Sequence, residues 1–182
     1  IVIGAAGRMG RRLVANIMAS ETLTLAGATE FVESPLLGED AGLVAGCGPA
    51  GVKITANLEE LVKNADAVIN FATAGVVEST KLAVANGCAV VIGTTALSQA
   101  EKGQLAELAD NGGRIVSSYN MSVGVNLLFK LVGEAARTLG LDYDCEIIEM
   151  HHNQKKDAPS GTAMATARGI AAARADAGLG PV

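Results

Sequence analysis

Aromatic side chains make up only 3% of the 182 residues, and charged ones only 18%. So few rings leave no platform on which nucleic-acid bases could stack. The formal net charge of -5, with no basic run longer than two residues, argues against nucleic acid and against an anionic membrane surface as partners. Cys47, Cys88 and Cys145 are odd in number, far apart and form no CxxC pair. That spacing predicts reduced thiols in a cytoplasmic protein and no zinc site. No apolar run approaches the ~20 residues that span a bilayer, and no basic stretch opens the chain as it would a signal peptide. What remains is a soluble globular protein, 49% hydrophobic, with chain enough for one sizeable core or for one domain plus part of another.

Short apolar runs alternate with Ala- and Leu-rich stretches. "IVIG" (1–4), "LTLAGATE" (23–30), "GVKIT" (51–55), "AVINFAT" (67–73), "AVVIGTT" (89–95) and "RIVSSYN" (114–120) read as strands. Helices are expected from about Arg8 to Ser20, as a short helix opened by the capping box "NLEE" (57–60), over "VVESTKLAVAN" (76–86), and from "SQAE" (98–101) to about Asp110. Residues 31–51, rich in Gly and Pro, read as a loop. Strict alternation with strands apolar throughout predicts an α/β fold, a doubly wound parallel sheet covered by helices on both faces. Residues 1–121 are read as a dinucleotide-binding domain. The pattern then changes to a long helix (122–140), one alternating strand "YDCEIIEM" (143–150), a polar loop and a helix from Ser160. This reads as the opening of a second α/β domain over 122–182. The chain opens at Ile1 inside a strand pattern and stops at "AGLGPV", so both ends are expected to lie within a longer chain.

"GAAGRMG" sets Gly4, Gly7 and Gly10 between the first strand and the first helix. Glycines allow a tight turn and a close approach of backbone to a pyrophosphate, and the helix start adds unpaired N–H groups. Glu30 ends the second strand, where an acid would hold a ribose hydroxyl. The spacing is GxxGxxG rather than the commoner GxGxxG, but the strand, helix and acid around it favour a dinucleotide site. Phe31 stands where an arginine would meet a 2′-phosphate, so NADH is favoured over NADPH, although Arg8 could still reach phosphate. The turns "FAT" (71–73) and "GTT" (93–95) end strands on the same carboxyl edge; ordinary turn and cap chemistry is an equal reading for each alone.

The chain's two histidines, His151 and His152, open "HHNQKKDAPSGTA" (151–163). A histidine can give a proton as a substrate accepts hydride, and a lysine can bind a carboxylate and stabilise developing negative charge. Ser160 fits an N-cap, with the N–H groups of Gly161 and Thr162 pointing outward as a carboxylate cradle. This suits reduction of a small anionic substrate. On composition alone, a solvated loop followed by a routine cap remains open, and Lys156 and Asp157 fit that reading best. Adjacent histidines do not share a helix face, which disfavours a metal, and there is no GxSxG elbow for a hydrolase.

"GAAGRMG", "GTT", "NMSVGVN" (120–126) and above all the 151–163 stretch resemble the 4-hydroxy-tetrahydrodipicolinate (dihydrodipicolinate) reductase family of the diaminopimelate route to lysine. The resemblance runs along essentially the whole chain. It implies a Rossmann domain binding NADH or NADPH and a second α/β domain binding a cyclic dicarboxylic imine. By position it implies His151 as proton donor and Lys155 as a catalytically important substrate-binding lysine. His152, Ser160, Gly161 and Thr162 would hold the substrate's carboxylates. Gly4, Ala5, Ala6, Gly7, Arg8, Met9 and Gly10 would line the pyrophosphate, with Glu30 on the adenine-side ribose. Phe71, Ala72 and Thr73, then Gly93, Thr94 and Thr95, then Tyr119, Asn120 and Met121 would border the nicotinamide half. A homotetramer is implied for the full-length protein. "NFAT" departs from the family's frequent "DFT" followed by a charged or polar residue, so Thr73 weakens any 2′-phosphate selectivity. The competing readings are a related two-domain dehydrogenase, such as one acting on L-aspartate, and a non-enzymatic NAD-sensing domain.

Overall fold

The computed structural model describes residues 1–95, 97–118, 120–153 and 158–179. They fall into two units, Ile1–Ser118 and residues 119–182.

In the first unit, β1 (Val2–Ile3), β2 (Ala28–Thr29), β3 (Ile54–Thr55), β4 (Ala67–Asn70), β5 (Ala89–Ile92) and β6 (Ile115–Ser117) form one sheet. The order is β3-β2-β1-β4-β5-β6 and every neighbouring pair is parallel. Helices α1 (Arg8–Met18), α2 (Ala41–Ala45), α3 (Leu58–Leu61), α4 (Val76–Ala85) and α5 (Gln99–Asp110) lie between them. This is the doubly wound, Rossmann-like sheet that the alternation predicts. The chain winds outward from β1 to β3, then returns to the other side of β1 at β4. That reversal opens a crevice at the carboxyl ends of the central strands.

Both faces of the sheet are covered, which is why its strands read as apolar throughout. On one face Val68, Val90 and Ile92 pack with Val76, Val77 and Ala83 of α4 and Leu105 of α5. On the other, Val2, Ala28 and Ile54 pack with Val14 and Ile17 of α1 and Ala41 of α2. Each such Val, Ile or Leu contributes about 1.5–3 kcal/mol on burial. "SQAE" forms the expected capping box, Ser98 Oγ accepting from the Glu101 N–H and Glu101 accepting from the Ser98 N–H.

Two expectations from the sequence are corrected. Residues 31–51 are not all loop, because they contain α2. At five residues it is too short to display a helical period, and its marker is Asp40. That carboxylate accepts the N–H groups of Gly42 and Leu43 at the helix start, and those of Ala50 and Gly51 across the loop, at 2.8–3.0 Å. These four bonds hold its carboxyl below the ordinary value.

The second correction lies in the second unit. Here α6 (Val123–Leu139) and α7 (Gly161–Asp176) pack together, with Ala136, Ile170 and Ala173 buried. The strand expected over 143–150 is not formed, and residues 144–152 carry no regular element. Alternation assigns side chains to faces, but a strand exists only when another strand completes its ladder. No other strand of this unit is present among the described residues, and Ile148 and Met150 remain 86% and 93% exposed. Among the described residues no helix is long and apolar enough to cross a membrane.

Candidate active site

The crevice at the central strand ends is a cleft of about 610 Å³ in the first unit. Gly4, Gly7, Thr29, Glu30, Phe31, Phe71, Ala72, Thr73, Gly75 and Ser79 are among its lining residues. Seven residues singled out in the sequence therefore meet in one place: Gly4, Gly7, Glu30, Phe31, Phe71, Ala72 and Thr73.

The glycine loop owes its form to two features. Gly4 has φ +73°, a left-handed backbone that L side chains rarely adopt. Gly10 packs against the loop itself: a Cβ there would overlap the Gly4 carbonyl oxygen and stand 2.6 Å from Ala5 Cα. The backbone amides sort into two groups. Gly4 and Ala5 donate to the Thr29 carbonyl, Gly7 donates to the Gly4 carbonyl, and Ala6 donates to Glu30 Oε1 at 2.9 Å. Those of Arg8, Met9 and Gly10 have no protein partner among the described residues, and no side chain caps α1. A helix start with unsatisfied donors and no acid in its first turn attracts an anion. At Gly75 the start of α4 also lacks a side-chain cap, on the same cleft. The residues therefore fit a dinucleotide, and the loop amides without a protein acceptor lie at the end of "GAAGRMG". The side chains of Arg8 and Met9 turn to a separate surface recess with Arg11 and Arg12.

Glu30 does more than the sequence indicates. Its two oxygens accept from Ala6 and, at 3.3 Å, from Phe31, tying the glycine loop to the end of β2. Residues 31–40 beyond it contain Glu33, Glu39 and Asp40 and no lysine or arginine. Asn70, a polar residue ending an apolar strand and so a visible signal, organises the edge of the cleft. It is 1% exposed, donates to Ser79 Oγ and accepts the Ala72 N–H, each at 2.9 Å. It thereby joins the "FAT" turn to the start of α4. Gly93 touches the same turn from β5, since a Cβ there would fall within the Phe71 ring. Thr94 and Thr95 follow it outside the residues that line the cleft.

The second unit holds the histidine loop. Glu149, not singled out in the sequence, accepts from the Ser160 N–H at 2.8 Å and pairs with His151 Nε2 at 2.9 Å. Bonds from the His151 ring and then from the Ser160 hydroxyl and amide pull its carboxyl down to about 2. Ser160 is 6% exposed, and its Oγ caps α7 by accepting the Ala163 N–H at 3.0 Å. Ser160 is thus spent inside the protein, while the N–H groups of Gly161 and Thr162 have no partner among the described residues. Thr162 Oγ1 accepts from Asn120 Nδ2 at 3.4 Å, which leaves its own proton for a ligand. Asn120 in turn accepts the Ser122 N–H at 2.9 Å and helps start α6. Asn120 and Met121, read as cofactor-bordering, belong to this second unit. Tyr119 and Lys155 lie outside the described residues.

Models for the two parts of one family match this chain in order. "Dihydrodipicolinate reductase, N-terminus" matches residues 1–121 and "Dihydrodipicolinate reductase, C-terminus" matches residues 124–180. The 4-hydroxy-tetrahydrodipicolinate reductase of Syntrophotalea carbinolica is 48% identical over 164 residues, and that of Geobacter metallireducens 46% over 165. Each alignment covers 90% of this chain and 61% of the relative, so the chain spans about three fifths of the length of these relatives. A solved structure described as dipicolinate-bound dihydrodipicolinate reductase from Paenisporosarcina sp. TG-14 superposes with a TM-score of 0.72 at 32% identity. That match covers 95% of this chain and 65% of the solved one. Fold, glycine-loop cleft and both family halves agree, and the chain belongs to the dihydrodipicolinate reductase family.

Proposed function

We propose that the whole protein reduces 4-hydroxy-tetrahydrodipicolinate to tetrahydrodipicolinate in the diaminopimelate route to lysine. The observation that carries this reading is the match to both family halves together with the cleft that collects Gly4, Gly7, Glu30 and the "FAT" turn. Held by these residues, a reduced nicotinamide would supply the hydride for ring C4 of the substrate, the hydroxyl there being lost as water. The chain's residues do the rest. Arg8, Met9 and Gly10 offer amide N–H groups to the cofactor's diphosphate, and Glu30 accepts from the adenine-side ribose. Phe71 and Gly93 shape the nicotinamide end. His151 donates the proton that the reduction requires, so that substrate, reduced cofactor and one proton give product, oxidised cofactor and water. Lys155 binds the substrate and balances its negative charge. The N–H groups of Gly161 and Thr162, the Thr162 hydroxyl and His152 hold the substrate's carboxylates, with Ser160 organising the turn.

NADH is the preferred cofactor in this reading, because Glu30 and the acidic residues after it disfavour a 2′-phosphate. The enzyme is cytoplasmic, and a homotetramer in its full-length form.

The test follows absorbance at 340 nm with NADH and NADPH. Substrate is made in the cuvette by a synthase from pyruvate and aspartate semialdehyde. Turnover that requires the synthase product, prefers NADH, and collapses in His151→Gln and Lys155→Ala supports the proposal. Folded protein that binds NADH yet gives no turnover overturns it in favour of a sensor.

A further inference from the structure

We propose that Glu149 is the positioning residue of His151, fixing the tautomer of its imidazole and tying it to the start of α7, so that Nδ1 is the nitrogen that delivers the proton. The inference rests on the reductase reading for its chemistry, but its geometry stands by itself.

Glu149 holds two groups with its two oxygens. Oε2 lies 2.9 Å from His151 Nε2, and Oε1 accepts the Ser160 N–H at 2.8 Å. Ser160 is buried and is the N-cap of α7, so one end of this bridge is anchored to a fixed helix start. A carboxylate on a mobile surface pair would hold an imidazole only loosely. Here bonds from Ser160 have already restricted the carboxylate, and less freedom is lost when His151 joins it.

The tautomer follows from the charge. With its carboxyl at about 2, Glu149 is ionised near neutral pH and can only accept. Nε2 of His151 must then carry a proton in both the neutral and the cationic ring. The neutral ring has its lone pair on Nδ1, and the cation has its transferable proton there. A carboxylate that selects one tautomer in this way leaves the partner nitrogen correctly protonated for transfer, as orienting carboxylates do beside catalytic histidines. The same bridge places His151 on the helix start that presents the Gly161 and Thr162 N–H groups, so proton donor and carboxylate cradle share one support.

The chain carries two histidines, which makes imidazole ¹⁵N NMR a direct readout, with His151→Gln assigning the signals. At a pH where the ring is neutral, wild type should show His151 as the Nε2–H tautomer. In Glu149→Gln the amide NH₂ can donate to Nε2, so the ring should shift toward Nδ1–H. The expected kinetic effect is a fall in kcat of roughly 100-fold, with KM for substrate within about threefold. Glu149→Asp, which restores an acceptor-only oxygen, should recover the Nε2–H tautomer and part of kcat. An unchanged tautomer in a folded Glu149→Gln protein overturns the proposal. So does a loss of kcat that Glu149→Asp fails to relieve although it restores the tautomer. If the wild type shows no turnover at all, the reductase reading fails, while the NMR comparison still decides whether Glu149 sets the ring.

Discussion

Gly10→Ala puts the packing of α1 on the glycine loop to a quantitative test. A Cβ at residue 10 would stand 2.6 Å from Ala5 Cα and 2.7 Å from the Ala5 carbonyl carbon, and would overlap the Gly4 oxygen. All three are backbone atoms, so no side chain can swing aside. Carbon–carbon contact is comfortable at about 3.5 Å, so α1 must retreat from the loop by at least about 0.9 Å, and further to clear the Gly4 oxygen, or the loop must deform. Overpacking of this kind costs about 1–3 kcal/mol. The retreat carries with it the N–H groups of Arg8 and Met9, so diphosphate binding should weaken at least tenfold, about 1.4 kcal/mol. Gly103→Ala is the matched control. It lies exposed within α5 with nothing within 4 Å of its added Cβ, and should stabilise the helix by about 0.5–1 kcal/mol. Urea unfolding followed by circular dichroism and NADH titration by calorimetry read both quantities. Gly10→Ala with a stability within about 0.5 kcal/mol of wild type and unchanged NADH affinity would refute the reasoning.

Three further outcomes follow from the same geometry. Glu149 has its folded-state carboxyl depressed from 4.5 to about 2, so its bonds add stability at neutral pH that is lost as pH falls through that interval. The Tm difference between wild type and Glu149→Gln should therefore be full above pH 4.5 and close toward pH 2; a difference independent of pH contradicts it. Glu30→Gln should narrow the proposed NADH-over-NADPH preference, measured as the ratio of Kd values, because it removes a negative charge from the cleft lining while keeping an acceptor for the Ala6 N–H. A preference as large as in wild type would assign the selectivity elsewhere. Gly93→Ala should displace the Phe71 ring and weaken NADH binding, and the double variant with Phe71→Ala should lose less affinity than the sum of the two single losses. Strict additivity in that cycle would show that the two residues do not meet.

The fold was legible because both faces of the sheet are buried. Apolar runs such as "AVIN" and "AVVI" leave no polar face to confuse with an amphipathic helix, and Gly, Asn and Ser marked where helices begin and end. The five-residue α2 was hidden because its cause is not a period but one carboxylate, Asp40, gathering four backbone donors from two parts of the chain. The strand expected over 143–150 shows the opposite limit, since alternation specifies a face without supplying a partner. At the site, the motifs gather Gly4, Gly7, Glu30 and the "FAT" turn at one cleft but do not display how each residue spends its bonds. "GAAGRMG" pointed to the cleft, yet four of its amides are committed inside the protein. Ser160 is the N-cap that the sequence predicts, and what the sequence does not display is its burial. The polar residue that ends the strand at Asn70 is visible in the sequence, but its partner Ser79 is not, and the bond from the Ser160 N–H to Glu149 spans eleven residues that no local pattern connects.

Hydride transfer itself can be followed with NADH carrying deuterium on the transferred face of nicotinamide C4. Substrate generated by the synthase is turned over, and the tetrahydrodipicolinate is read by ²H NMR. One deuterium at ring C4 of the product, with none in wild-type protein lacking synthase product and none above background in His151→Gln, is the result expected. Product formed without deuterium at C4, or NADH consumed with the label released to water, would contradict the account.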